Sequence, residues 1–216
     1  MRMAIWVLSA VVGVVVIGAA SWVWFVNNVE HPKYVVEKSD GEIELRRYPA
    51  LIVAEVTRDG ERRSAANAGF RPLAGYIFAR QRPGDKIAMT APVIQAPADT
   101  SPTDTSPTDK AATSATKSDT RWTIGFIMPS QYKLTDLPEP ESDDVRLRKL
   151  PSQTRVAIRF SGVATDAAIA RNEVKLRQWA DANGIALDGP PTIAYYNDPF
   201  TPGFLRRNEV LFDVKS

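Results

Sequence analysis

The side chains available for chemistry are few. The 216 residues include no cysteine and one histidine, His31, so disulfides, thiolate catalysis and cysteine-based zinc sites are excluded. A Ser–His pair would need His31, which precedes Pro32 outside the patterned part of the chain and reads as a linker residue rather than a metal ligand. No spacing of carboxylates singles out a general acid–base pair, and Glu173 reads as a solvent-facing charge on a helix. Recognition by charge and aromatic faces is what remains. Arg207 and Glu209, two apart at the start of a strand, point to one face, where an ion pair would pin the final strand. Met89 alternates with apolar neighbours and reads as core. A net charge of +2 lacks the concentrated basic face of a nucleic-acid binder.

The elements that must position these groups are strands and two helices. Ile43, Leu45 and Arg47 alternate against Glu42, Glu44 and Arg46, and Leu51 to Val56 follows as a second strand. Phe70, Leu73, Ala74, Ile77 and Phe78 form one apolar helical stripe, with Pro72 expected to start or kink its regular part. Ile87, Met89, Ala91 and Val93 alternate along a third strand, and Trp122, Ile124, Phe126 and Met128 along a fourth. The second half repeats this outline. Strands are expected at Val145 to Leu150, around Val156, Ile158 and Phe160, at Ile193–Tyr196 and at Val210–Val214. Thr165 caps a helix that runs to Asn183, with Gly184 as its stop. Strand–strand–helix–strand–strand thus occurs twice, so the strands should enclose a core with one helix from each half packed outside. From about 96 to 120 the chain is Thr, Ser, Asp, Ala and Pro. It reads as a disordered insertion in a hairpin.

Met3 to Val26 carries no charge, and about 20 such residues span a bilayer as a helix. Residues 1–28 therefore read as an N-terminal transmembrane anchor, with Trp22 and Trp24 as interfacial aromatics. A cleaved signal ending near Gly18-Ala19-Ala20 is the alternative, although Trp22-Val23-Trp24-Phe25-Val26 prolongs the apolar run beyond it. The charges next to the span favour its N-terminus inside. That places residues 29–216 outside the cytoplasm, on the periplasmic or extracytoplasmic side.

Two segments go further: Lys86-Ile87-Ala88-Met89-Thr90-Ala91-Pro92-Val93, and Tyr196-Asn197-Asp198-Pro199 leading into Arg206-Arg207-Asn208-Glu209-Val210. With Glu44-Leu45-Arg46-Arg47-Tyr48 and the Phe70–Tyr76 helix, they resemble the SOUL (heme-binding protein) family from about Val35 to Val214. The resemblance implies an α+β fold, a duplicated β-α-β-β-type unit forming a distorted eight-stranded antiparallel barrel with two helices. It implies reversible, non-catalytic binding of heme or a related tetrapyrrole in a hydrophobic cleft between the halves, with no obligate cofactor. Some members carry a histidine, proposed as an iron ligand, where this chain has Arg47, which has no lone pair to give. Arg47, Arg80 or Lys86 would then meet propionates by charge-assisted bonds, and Met89 would pack on the macrocycle or ligate it. Architectural cousins that hold cationic ligands imply an alternative site at Glu209 with Tyr195 or Tyr196. An interaction domain with no small-molecule site is the third reading.

Overall fold

The computed structural model describes residues 29–80, 82–98, 120–198 and 200–215. Most of the expected insertion, and the whole of the expected anchor, lie outside them. Among the described residues no helix is long and apolar enough to cross a membrane. From His31 onward the chain forms one unit. Its elements are β1 (Val35–Asp40), β2 (Ile43–Tyr48), β3 (Leu51–Asp59), α1 (Arg62–Ile77), β4 (Val93–Pro97), β5 (Arg121–Ile127), β6 (Arg146–Leu150), β7 (Gln153–Ser161), α2 (Asp166–Ala182), β8 (Leu187–Tyr195) and β9 (Arg207–Val214).

All nine strands join one antiparallel sheet in the order β1-β2-β7-β9-β8-β4-β5-β3-β6. Exchanging the two halves (β2 with β6, β3 with β7, β4 with β8, β5 with β9) maps the order from β2 to β6 onto itself. A pseudo-two-fold therefore passes between β8 and β4. Five strands separate β2 from β3, and five separate β6 from β7, yet each pair is joined by two residues, Pro49-Ala50 and Pro151-Ser152. Two linking residues reach about 11 Å, whereas six flat strand spacings would need about 29 Å. The sheet must curl until those strand ends meet. It curls without closing, so the expected eight-stranded barrel is corrected to an open, rolled sheet of nine strands. The ninth is β1, whose residues are all exposed and so carry no alternation of apolar and polar positions.

Each helix covers its half of the convex face. Leu73, Tyr76 and Ile77 of α1 join Ala54, Val56, Ile124 and Phe126. Ile169 and Leu176 of α2 join Val156, Ile158, Ile193, Val210 and Phe212. The first helix begins eight residues before its large apolar stripe. Its early contacts are small: Ala65 and Gly69 are buried, and a Cβ on Gly69 would lie 3.0 Å from Ile124 and Val56 side-chain atoms. Pro72 stands inside the helix rather than at its start. The third strand is also displaced. Residues 85–89 have no regular pairing. Ile87 fills the core beside α1 with Met89 packed against it. Apart from an isolated bridge at Thr90, the continuous ladder starts at Val93, after Pro92, which has no N–H to donate to it. Ala96 and Pro97 belong to β4 rather than to the insertion. Thr165 caps α2 as expected, its Oγ1 accepting from the Ala168 N–H at 3.1 Å.

Candidate functional site

The concave face of the rolled sheet is filled by the chain's own side chains. Val53, Ile127 and Leu150 form one buried cluster there, and Tyr48, Ala157, Ala194 and Leu211 another, with Tyr34, Leu51, Ile94 and Tyr196 against it. Above this apolar floor lies a charged network centred on Glu209, which has no solvent exposure. Arg46 donates to both its oxygens, Nη1 at 2.8 Å and Nη2 at 3.0 Å. Arg207 donates from Nε at 3.1 Å and Nη2 at 2.7 Å. The Tyr196 hydroxyl adds a bond of 2.8 Å. Arg46, itself 2% exposed, also reaches Glu44 at 2.7 Å and the Tyr48 hydroxyl at 3.1 Å. Its guanidinium stacks 4.4 Å from the Tyr34 ring centroid, and that of Arg207 4.0 Å from Tyr196.

Burial alone would raise the pKa of Glu209, but Arg46 and Arg207 outweigh it and hold the carboxyl below its ordinary range. Burial, and then the Glu209 charge, push the Tyr196 phenol up, so it stays a donor. A carboxylate has about four lone-pair sites, and five bonds already use them. The acceptor capacity that would meet a cationic guest at Glu209 is spent within the protein.

The other residues named from sequence are dispersed. Arg47 is exposed and pairs with Glu37 on β1. Met89 packs into the α1 core, Arg80 lies 5.7 Å over the Phe78 ring, and Lys86 is exposed, all three beyond the C-terminal end of α1. Tyr195 points to the convex face, opposite its neighbour Tyr196. His31 is exposed and rests its ring 5.6 Å from that of Tyr196, at the edge of the inner network. Partial burial and the nearby Arg207 depress its pKa.

The opening between the halves is on the convex face. A cleft of about 190 Å³ runs between the start of α1 and α2, over the β4–β8 junction on the pseudo-two-fold. Pro97, Trp122, Ile169, Pro191 and Ile193 give it apolar walls. Arg62 forms its floor, donating to Asp166 at 2.6 Å, to the Tyr195 hydroxyl at 2.6 Å and to the Ala164 carbonyl at 2.8 Å. Tyr195 in turn donates to Gln95 Oε1 at 2.9 Å, and Gln95 Nε2 donates to the Arg62 carbonyl at 2.8 Å. Arg62 and Trp122 were not among the residues expected at a site. Their signal is weak in sequence, because the cleft joins residues of both halves that only the sheet order brings together.

Comparison with known proteins agrees with this architecture. The SOUL heme-binding protein family model matches residues 29–213. The chain belongs to the SOUL heme-binding protein family. No curated protein sequence matches it. The SOUL domain is similar in fold to the C-terminal domain of EcmrR, with TM-score 0.57 and 15% identity over 81% of this chain and 97% of that one. It is also similar to a hydrolase from Listeria innocua, with TM-score 0.55 and 11% identity over 83% of this chain and 94% of that one. At such identities the likeness is one of fold.

Family membership poses a fit question for heme. The cleft walls contain no His, Cys, Met or Tyr, and among the described residues no group of three metal-ligating side chains occurs. The cleft offers a tetrapyrrole apolar and aromatic contact but no axial ligand. A larger groove of about 700 Å³ beside α1 is lined by Arg58, Ser64, Asn67, Ala68, Arg71, Pro72, Ser142 and Asp144. Most of its lining side chains are polar or charged, with only Ala68 and Pro72 apolar, and its Arg58 is already paired with Asp144.

Proposed function

We propose that this chain is a membrane-anchored, non-catalytic SOUL domain that binds a tetrapyrrole reversibly in the cleft between α1 and α2. The observation that carries the reading is an apolar cleft on the pseudo-two-fold of a chain whose family is associated with heme. Small-molecule pockets usually enclose about 300–1,000 Å³, so this cleft takes one edge of a macrocycle. The edge would lie against Trp122 and between Pro97 and Pro191, with the rest of the ring across the surface. Propionates would stay at the mouth, where Arg63 and Arg171, each next to a cleft residue, are exposed. The driving force is apolar burial, at about 25 cal/mol per Å² before immobilisation costs. Binding of this kind ignores the metal. Hemin and metal-free protoporphyrin should bind alike.

A second reading keeps the cleft and changes the guest's charge. Asp166 and Glu173 line the walls with Arg62 as the one lining cation. Both are exposed enough to keep free oxygens beside their bonds to Arg62 and Arg177, and this net negative lining favours a planar cation. One titration separates the two: the full chain in detergent, followed by Soret absorbance with hemin, protoporphyrin and a cationic pyridinium porphyrin. Saturable shifts with the first two support the tetrapyrrole reading, and a shift with the third alone supports the cation. Ala170→Trp fills the cleft from an exposed position and should abolish whichever shift occurs. Unchanged binding by that variant, or no saturable shift with any of the three, refutes the cleft as the site.

A further inference from the structure

The loop between β8 and β9 displays its apolar side chains to water. Phe200, Phe204 and Leu205 are 88%, 78% and 61% exposed. The loop is nevertheless braced. Asp198 accepts from the Phe200 N–H at 2.7 Å, the Thr201 N–H at 3.1 Å and the Thr201 hydroxyl at 3.0 Å. Arg206 Nε donates to the Thr201 carbonyl at 2.7 Å, and the Asn197 side-chain oxygen accepts from the Arg207 N–H at 2.7 Å. Gly162 donates to the Gly203 carbonyl at 3.0 Å, which brings exposed Val163 beside the loop. A stiff loop that holds large apolar groups in water marks a contact surface.

Its position indicates what it contacts. The ring of His31, where the described domain begins, lies 5.6 Å from Tyr196. Tyr196 closes the base of this loop, its N–H donating to the Arg207 carbonyl at 3.2 Å. The uncharged run that ends at Val26 lies five residues before His31 in sequence, at most about 18 Å of extended chain. From 199 to 208 the sequence has two arginines and no acidic residue. Asp198 at the loop base is engaged with the Phe200 and Thr201 N–H groups, so the exposed tips themselves carry no charge that repels an anionic headgroup layer.

We infer that the Phe200–Leu205 loop is a membrane-docking element: its aromatic tips enter the interfacial layer of the bilayer that holds residues 3–26 and fix the orientation of the domain on it. The choice of a bilayer over a protein partner rests on the anchor reading. Insertion of this type reaches about 5–10 Å into the headgroup and upper acyl region.

The absence of cysteine allows single-site labelling. Leu205→Cys and, as control, Lys215→Cys just past the far end of β9, roughly 25 Å away, each carry an environment-sensitive fluorophore. The full chain is reconstituted into phosphatidylcholine–phosphatidylglycerol vesicles with nitroxide lipids, and carbonate extraction reads the anchor separately. The expected result is carbonate resistance, with a blue shift at 205 and quenching by shallow nitroxides at least about twofold greater than at 215. Adding Phe200→Asp and Phe204→Asp should abolish that quenching and leave thermal unfolding unchanged, because neither ring packs inside the domain. Carbonate resistance with equal quenching at both positions overturns the docking and leaves the anchor standing. A blue shift at 205 without lipid quenching overturns it in favour of a protein contact. Extraction by carbonate removes the anchor: persistent quenching at 205 then upholds docking by the loop itself, and its loss refutes both.

Discussion

Glu209 should be the residue whose removal costs the fold most per atom. Glu209→Ala leaves Arg46, 2% exposed, with one carboxylate partner, Glu44, on its own strand, and leaves Arg207 and the Tyr196 hydroxyl without their bonds to Glu209. Breaking a buried pair from one side costs about 3–5 kcal/mol, because an uncompensated charge stays behind. The five bonds at 2.7–3.1 Å place this case at the upper end. Against a typical total of about 5–15 kcal/mol the loss is a third or more, and in thermal unfolding it is worth about 6–20 °C. Urea unfolding of Glu209→Ala, Arg46→Ala and the double variant measures it. The two residues share one network, so the double should cost about 1–3 kcal/mol less than the sum. The pH dependence has a definite sign. The folded state holds Glu209 ionised to lower pH than its ordinary value of 4.5, so its contribution is complete above that value and is lost as pH falls through the folded pKa. A single-variant cost below about 1 kcal/mol, or additivity within about 0.5 kcal/mol, would refute the argument.

Other consequences are smaller. His31, with its pKa depressed below 6.5 by burial and Arg207, takes its proton more readily in the unfolded chain. Stability should therefore fall as pH drops below that value until the folded form also protonates. His31→Gln should flatten the urea midpoint between about pH 5 and 7, and an unchanged slope would exclude the residue as its source. Gly69→Ala improves helix propensity by about 1 kcal/mol but sets a methyl 3.0 Å from Ile124 and Val56. Overpacking of about 1–3 kcal/mol should win, and a stabilised variant would mean that α1 shifts freely on the sheet. Arg46→Lys keeps the charge but loses the fork that spans both Glu209 oxygens. Calorimetry should show it nearly as destabilised as Arg46→Ala.

Period-two alternation located β2, β5 and β7, because their neighbouring residues face different surroundings, while β3 shows as a mostly apolar run. It failed where that contrast was missing. β1, Val35–Asp40, is exposed throughout and held by backbone pairing with β2. Ile87 and Met89 alternate because they pack beside α1, not because they pair. The early turns of α1 pack through Ala65 and Gly69, where no large apolar residue reveals the buried side. Arg47 is named from sequence because it stands where some family members carry a histidine. It shares a face with Ile43 and Leu45, which pack toward α2, whereas its neighbour Arg46 points to the opposite face, into the rolled sheet. The partner of Arg46, Glu209, is 163 residues away, a distance that only the β2–β7–β9 register bridges. The Arg207–Glu209 pair was legible from spacing alone.

Tyr195 and Tyr196 show how one strand serves two faces. Tyr195 supports the cleft floor through Arg62 and Gln95, and Tyr196 bonds Glu209 inside the roll. The two networks meet at the adjacent residues Tyr195 and Tyr196, where β8 ends beside its partner β9, and have no side chain in common. Glu209 therefore influences the cleft through the stability of those strands and not through contact with a guest. Glu209→Gln, assayed at a temperature where it remains folded by circular dichroism, should bind porphyrin with the wild-type dissociation constant while its urea midpoint drops. Were Glu209 a ligand for a cationic guest, affinity for the cationic porphyrin would fall at least about tenfold, the equivalent of one lost charged contact of about 1.4 kcal/mol, with the fold intact. Equal affinities combined with a lowered midpoint assign the carboxylate to the scaffold and leave recognition to Trp122, Ile169 and the prolines that wall the cleft.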